Sequence, residues 1–239
     1  MRGQRGRVAF FSRRTGAFFV ALALLLLFSC GLPTSDYLYR PADFSAFGNN
    51  LVELKHDTRN IDDVAALFKG YDIYYRIFDS EIEARDSSTK LSSELTSGNI
   101  TSMASSEGYY VLVKYKNTNT SPDLTVPLIP VSDNTHISFD LHLNSDSRWT
   151  ITADDNQTTL FSILRNKSDT AKVDFYSSKD YSSDDPDYEG DGISGNVDDS
   201  VYIVFFAVAY GISSSSIGSG LYSDPIVLLP IQYTPMGGS

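Results

Sequence analysis

The chain has 239 residues, 41% of them hydrophobic and 21% charged, with 19 Lys and Arg against 30 Asp and Glu for a net charge of −11. Such an acidic chain lacks the basic footprint that a phosphate backbone needs, so nucleic acid is not expected as a partner, nor is a hold on anionic lipid by charge alone. A single cysteine, Cys30, rules out an intrachain disulfide and leaves no thiol elsewhere for catalysis or metal ligation.

Residues 1–16 carry Arg2, Arg5, Arg7, Arg13 and Arg14 and no acid, and residues 17–28 are apolar without a break. A basic segment followed by an apolar one reads as a signal peptide over residues 1–29. The apolar run is well short of the about 20 residues that a spanning helix needs. Leu27-Phe28-Ser29-Cys30 then resembles the lipobox of bacterial lipoproteins, with Phe28 in a place where spirochaete-type lipoboxes tolerate bulk. That resemblance implies a diacylglyceryl thioether on Cys30, which becomes the new N-terminus, and usually an acyl group on its amine. Each buried CH₂ adds about 0.8 kcal/mol, so two or three chains hold a protein where one does not. Ser12-Arg13-Arg14 looks like the core of a twin-arginine signal, but Gly16 and Ala17 stand where that signal wants large apolar residues, so general secretion is expected. Gly31 is not the Asp that retains many lipoproteins in an inner membrane, which points to the outer membrane, on its periplasmic or surface face. Removing residues 1–29 takes five Arg and no acid, leaving 14 basic against 30 acidic residues and a net charge of −16.

Residues 30–50, with Pro33 and Pro41 and no sustained period, read as the lipidated cysteine and a tether, and residues 51–235 as the folded domain. One short helix is expected at residues 60–70, capped by Asn60, with Ile61, Val64, Ala65 and Phe68 at helical spacing and Gly70 as the stop. The Ser-rich residues 87–106 read either as a helix, with Leu91, Leu95 and Met103 on one side, or as a loop. Strand signals dominate the rest: residues 71–78, 109–116, 149–153, 159–165 and 171–177 are rich in aromatic and β-branched types. In residues 136–144, Ile137, Phe139, Leu141 and Leu143 alternate with His136, Ser138, Asp140 and His142, the pattern of a half-buried antiparallel strand. Residues 201–210 (VYIVFFAVAY) are apolar at both parities and predict a central strand covered on both faces.

Many strands and few helices predict a mainly β chain forming a single antiparallel β-sandwich with one or two short helices. Tyr202, Val204, Phe206 and Val208, then a Gly/Ser loop, then Ser223-Asp224-Pro225-Ile226-Val227, resemble the last two strands of a fibronectin type III domain, and residues 71–78 resemble its third strand. The resemblance implies an immunoglobulin-like sandwich with a large insertion between those strands, at residues 79–200. With the lipobox, the segments FKGYDIYYRIFD, VYIVFFAVAYG and LYSDPIVL are similar to lipoproteins of spirochaetes, which implies a location and no activity.

For chemistry, residues 184–199 place Asp187, Glu189, Asp191, Gly192 and Asp198 at positions 1, 3, 5, 6 and 12 of an EF-hand-like loop. Asp187, Glu189, Asp191 and Asp198 are thus the candidate ligands of a calcium ion, the one cofactor suggested; the competing reading is a solvated acidic loop between strands. His136, Asp140 and His142 share a strand face, but at strand rise the two His are about 20 Å apart, which favours an exposed polar face over zinc. His56 stands by itself in sequence, and GISG and SIGSG do not complete a nucleophile elbow. Residues 211–220 read as a connector or as a recognition loop at one end of the sandwich. No catalytic constellation is assembled, so the expected function is a lipid-anchored binding or adhesion-type module for a protein or glycan ligand, not an enzyme. The alternatives are a structural or assembly subunit of an envelope complex and, third, a hydrolase.

Overall fold

The computed structural model describes residues 36–47, 51–115, 122–123, 127–130, 137–142, 148–153, 158–168, 172–174, 180–194, 200–214 and 220–234. The chain is mainly β, with two large sheets and three helices among these residues. The first sheet orders β1 (Asp43–Phe47), β2 (Leu51–Lys55), β8 (Ile137–His142), β9 (Arg148–Ala153), β10 (Thr158–Asn166), β5 (Val113–Tyr115) and β6 (Pro122–Asp123), with β11 (Lys172–Asp174) also on β10. Every pairing in it is antiparallel, and the alternating run of β8 lies between β2 and β9 with Phe139 opposite Leu54 on one side and Ile151 on the other.

The second sheet is built on two long strands, β3 (Phe68–Phe78) and β15 (Val201–Ile212), paired antiparallel from Tyr202 opposite Phe78 to Gly211 opposite Phe68. Short segments clothe both outer edges. Along β3 run β7 (Ile129–Pro130), β4 (Tyr110–Val111) and β13 (Tyr188–Glu189), the last of them parallel to it. Along β15 run β16 (Gly220–Tyr222), β17 (Ile226–Val227) and β18 (Ile231–Tyr233). Pro225 and Pro230 divide that last edge into pieces, because proline has no N–H for the ladder. A separate ribbon pairs β12 (Asp180–Tyr181) with β14 (Ile193–Ser194). The sequence run 109–116 is divided at Leu112: its first part joins β3 and its second part β10, so it passes from one sheet to the other.

Strand periodicity sorts the core into two layers. Tyr71, Ile73, Tyr75 and Ile77 of β3, with Val201, Ile203, Phe205, Ala207 and Ala209 of β15, face Phe44, Val52 and Leu54 of the first sheet. The alternate residues Tyr74, Phe78, Val204, Phe206 and Val208 face a helical cover. Residues 201–209 are buried at both parities apart from Tyr202, as the doubly apolar run predicts. Each such Val, Ile or Phe contributes about 1.5–3 kcal/mol on burial, which a chain without a disulfide must obtain from its core.

The cover is formed by α2 (Glu81–Glu94) and α3 (Ile100–Ser106), and α1 (Arg59–Asp62) is a single turn. The Ser-rich stretch is therefore helical. Ser80 caps α2 by accepting the Glu83 N–H at 3.4 Å, Glu81 and Glu83 lie in the first turn, and Ala84, Ser88 and Leu91 form the buried stripe. Several of its hydroxyls are satisfied within the helix, as when Ser88 Oγ donates to Arg85 O at 2.9 Å and Ser92 Oγ to Ser88 O at 2.8 Å. With α1, the cover makes three helices among the described residues, where one or two were expected.

Three expectations are corrected. Asn60 does not cap a helix: Thr58 precedes α1, and the buried Asn60 amide accepts Tyr39 N–H at 2.9 Å and donates to Tyr39 O at 2.7 Å. Gly70 does not end a helix but lies inside β3 at φ +146°, where a Cβ would come within 2.0 Å of Ile129 O. The segment read as a tether over residues 30–50 also differs within its described part, since Leu38 is buried and β1 pairs with β2. Turn composition around Pro41 resembles a linker, and only the pairing partner reveals the strand.

Candidate functional site

The residues proposed for calcium are divided between interior and surface. Asp187 precedes β13 and is completely buried; Arg165, at the end of β10, donates from Nη2 to its Oδ1 at 2.7 Å and from Nε to its Oδ2 at 3.3 Å. The same Nη2 reaches Asp185 Oδ2 at 2.7 Å, and the guanidinium lies 4.3 Å from the centre of the Tyr181 ring. Tyr75 OH donates to Asp187 Oδ2 at 2.6 Å, and the Asn166 N–H donates to the same oxygen at 2.8 Å. Burial opposes the charge on Arg165, but its bond to Asp187 and that carboxylate's charge outweigh the opposition and raise its pKa. Burial raises Tyr75 well above the usual phenol value, reinforced by the Asp187 charge.

Glu189 and Asp191 are exposed instead. Glu189 pairs with Arg76 Nη2 at 2.5 Å, and the Asp191 N–H donates to Asp79 Oδ2 at 2.9 Å. Gly190 allows that approach, since a Cβ there would meet the Asp79 carboxylate at 2.1 Å. Asp198 lies outside the described residues. Among the described residues no group of three His, Cys, Asp or Glu side chains could hold a metal ion. Of the other residues considered for chemistry, Asp140 and His142 lie in β8 and His136 outside the described residues. His56 is not isolated in space: it is buried, its Nδ1 is 2.7 Å from Tyr71 OH, and its ring stacks on Phe68.

A cavity of about 210 Å³ opens beside α3, lined by Tyr74 and Tyr110 from the sheet and by Thr101, Ala104, Ser105, Gly108 and Tyr109 from the helix and its exit. Its size is below the about 300 Å³ at which drug-sized ligand pockets begin, so it suits one small ring or side chain. The Tyr74 ring stacks on Phe206 at 4.7 Å and 4°, and Tyr109 tilts against the same ring at 5.6 Å. Ser87 Oγ fixes the Tyr109 hydroxyl at 2.7 Å. Gly108, at φ +68°, leaves room for Arg76, which donates to Glu107 O at 2.5 Å; a Cβ at Gly108 would meet the guanidinium at 3.0 Å. Burial raises the pKa of both Tyr74 and Tyr109, so their hydroxyls stay protonated at neutral pH.

Two strand positions before Tyr74, Asp72 is a buried carboxyl that accepts the Leu128 N–H at 2.9 Å. Burial pushes its pKa up to about 6, partly offset by that bond. The sequence reading missed this cavity because its tyrosines count as ordinary strand residues. The available signal was Gly108-Tyr109-Tyr110, a glycine of positive φ followed by adjacent aromatics, which places one ring on each side of a strand. No family model, no curated protein and no solved structure matches the chain.

Proposed function

We propose that this chain is a lipid-anchored envelope protein, acylated at Cys30 and held at the outer membrane, that acts by binding a protein or glycan ligand rather than by catalysis. The lipobox, the arginine-led signal segment and the strongly acidic remainder support the anchor. The observation that carries the binding role is the cavity beside α3. Its wall presents the edges of the largely buried Tyr74 and Tyr109 beside the half-buried Tyr110, and Thr101 and Ser105 add hydroxyls without a formal charge. That chemistry suits an uncharged ring, such as one sugar of a glycan, or a small side chain of a protein.

The test compares the wild-type chain with Ser105→Trp, an exposed helix position whose enlarged side chain fills the cavity, against arrays of envelope and host glycans and matrix proteins. A ligand bound by the wild type and at least tenfold more weakly by the filled variant is the expected result. Equal binding by the two overturns the cavity as the site. Protease digestion of intact cells, with a periplasmic protein as control, decides the face of the membrane: cleavage directs the ligand search outside the cell, and protection directs it to the periplasm.

A further inference from the structure

Asp36 is fixed to the end of β15: its Oδ2 accepts Ser213 Oγ and the Ser214 N–H, each at 2.7 Å, and Ser214 Oγ at 2.9 Å. Buried Leu38 and the two-way bond between Asn60 and the Tyr39 backbone secure the residues that follow. Only residues 31–35 lie between Cys30 and Asp36. Fully extended, that connection reaches about 20 Å. The length of β15, Val201–Ile212, is about 36 Å at strand rise, so the sandwich is longer than its connection.

The two ends of β15 differ in chemistry. At the Ile212 end, Ile212 is 42% and Tyr37 is 51% exposed. Tyr37 meets the Tyr39 ring edge-on at 5.2 Å, their hydroxyls are 3.0 Å apart, and the Arg59 guanidinium lies 4.3 Å from the Tyr39 ring centre. Tyrosine, with an apolar body and a polar tip, favours the boundary between lipid and water. Acidic residues lie at both ends, with Asp36, Asp57 and Asp63 around Ser213, Arg59 and Tyr39 and with Asp79, Glu81, Glu83, Glu189 and Asp191 around Phe78, so the difference lies in the exposed aromatic and apolar side chains and in the place where the chain enters the fold. The other exposed apolar residues do not compete as a contact face: Ile82 lies between Glu81 and Glu83, and Leu229 precedes Pro230, so each is a single exposed side chain of the ordinary kind.

We propose that the end of the sandwich bearing Tyr37, Tyr39 and Ile212 rests on the lipid surface that holds the acylated Cys30, with the Asp79 and Asp191 end outermost. This rests on the lipid-anchor reading above and adds an orientation to it. The Ser213–Ser214 exit from β15 then lies on the lipid side, so recognition falls to the helical flank and the outer end.

The test uses the full mature chain with its lipid, in vesicles of phosphatidylethanolamine and phosphatidylglycerol that carry a headgroup-attached quencher. Acylation blocks the thiol of Cys30, so Ile212→Cys, Tyr37→Cys and Asp191→Cys each accept one environment-sensitive dye. The dye at positions 212 and 37 is expected to shift to the blue and to be quenched several-fold more than the dye at 191. A chain that floats with the vesicles but shows equal quenching at all three positions, or the strongest quenching at 191, overturns the orientation and leaves the anchor standing. A chain that does not float with the vesicles overturns the anchor, and the orientation with it. Two reporters at the lipid end keep the comparison readable if one substitution unfolds the protein.

Discussion

Arg165 and Asp72 are both buried ionisable side chains, yet they are accommodated in opposite ways. Arg165 is charged and surrounded by partners, with two carboxylates, a tyrosine ring and the Asn166 backbone in one network. Asp72 accepts one backbone N–H, and burial pushes its pKa up to about 6, so the fold accommodates it best when it is protonated, below neutral pH. The two centres teach that a core accommodates a titratable group by completing its ion pair, and otherwise carries its charge at a cost to stability that protonation relieves. They also differ in reach: the Arg165 network joins β10 of one sheet to Tyr75 of the other, whereas Asp72 secures only the short Leu128 segment beside its own strand.

The strongest way to break the contrast is to remove the guanidinium. Arg165→Met leaves Asp185 and Asp187 buried without their cation and is expected to destabilise the fold by about 3–5 kcal/mol, read from the urea midpoint. Adding Asp185→Leu and Asp187→Leu to that variant is expected to recover much of the loss, because the stranded charges are then gone. At Asp72 the sign reverses. A folded-state pKa raised from 3.8 to about 6 gives stability that is complete below the lower value and lost as pH rises through the upper one. Asp72→Asn keeps the carbonyl that accepts Leu128 N–H, so at pH 7 it is expected to stabilise the fold by about 2–3 kcal/mol and to flatten the melting temperature between pH 4 and pH 7. A wild-type melting temperature that instead rises over that range contradicts the assignment.

Smaller changes sharpen the picture. Tyr75→Phe removes one hydroxyl from the Arg165 network but leaves the Asn166 N–H on Asp187, and is expected to cost about 1–1.5 kcal/mol in the same denaturation experiment. Glu189→Gln breaks the ion pair with Arg76 at a half-exposed position and is expected to cost less than about 1 kcal/mol, and nothing measurable in high salt.

Neither centre was legible in the sequence, and the reason is their range. Arg165 ends a strand-like run and resembles a surface residue, Asp187 lies in an acidic stretch that resembles a solvated loop, and their union requires a partner 22 positions away and a Tyr75 hydroxyl 112 positions from Asp187. By contrast, β15 and β8 were readable because periodicity is local: apolar residues at both parities mean two covered faces, and strict alternation means a strand of period two. The helix α2 fell between these cases. Its serines weaken propensity, and the apolar stripe that fixes it becomes visible only once β3 and β15 offer a surface to cover. The cavity was missed because a tyrosine lining a cavity and a tyrosine filling a core have the same place in a strand pattern.

The clothing of the β3 and β15 edges has a kinetic side. Their pairing joins residues more than a hundred positions apart, a contact that forms slowly because a long loop must close first. Until then β15 is a long, uncharged, strongly apolar strand with free edges, the kind of template onto which other chains add. The pieces that cover its outer edge, β16, β17 and β18, lie later in sequence than β15 itself, so that edge stays open until the last segments of the chain arrive. Shortening the chain from its C-terminal side to before Ile226 would therefore prolong the aggregation-prone interval as well as weaken the finished fold.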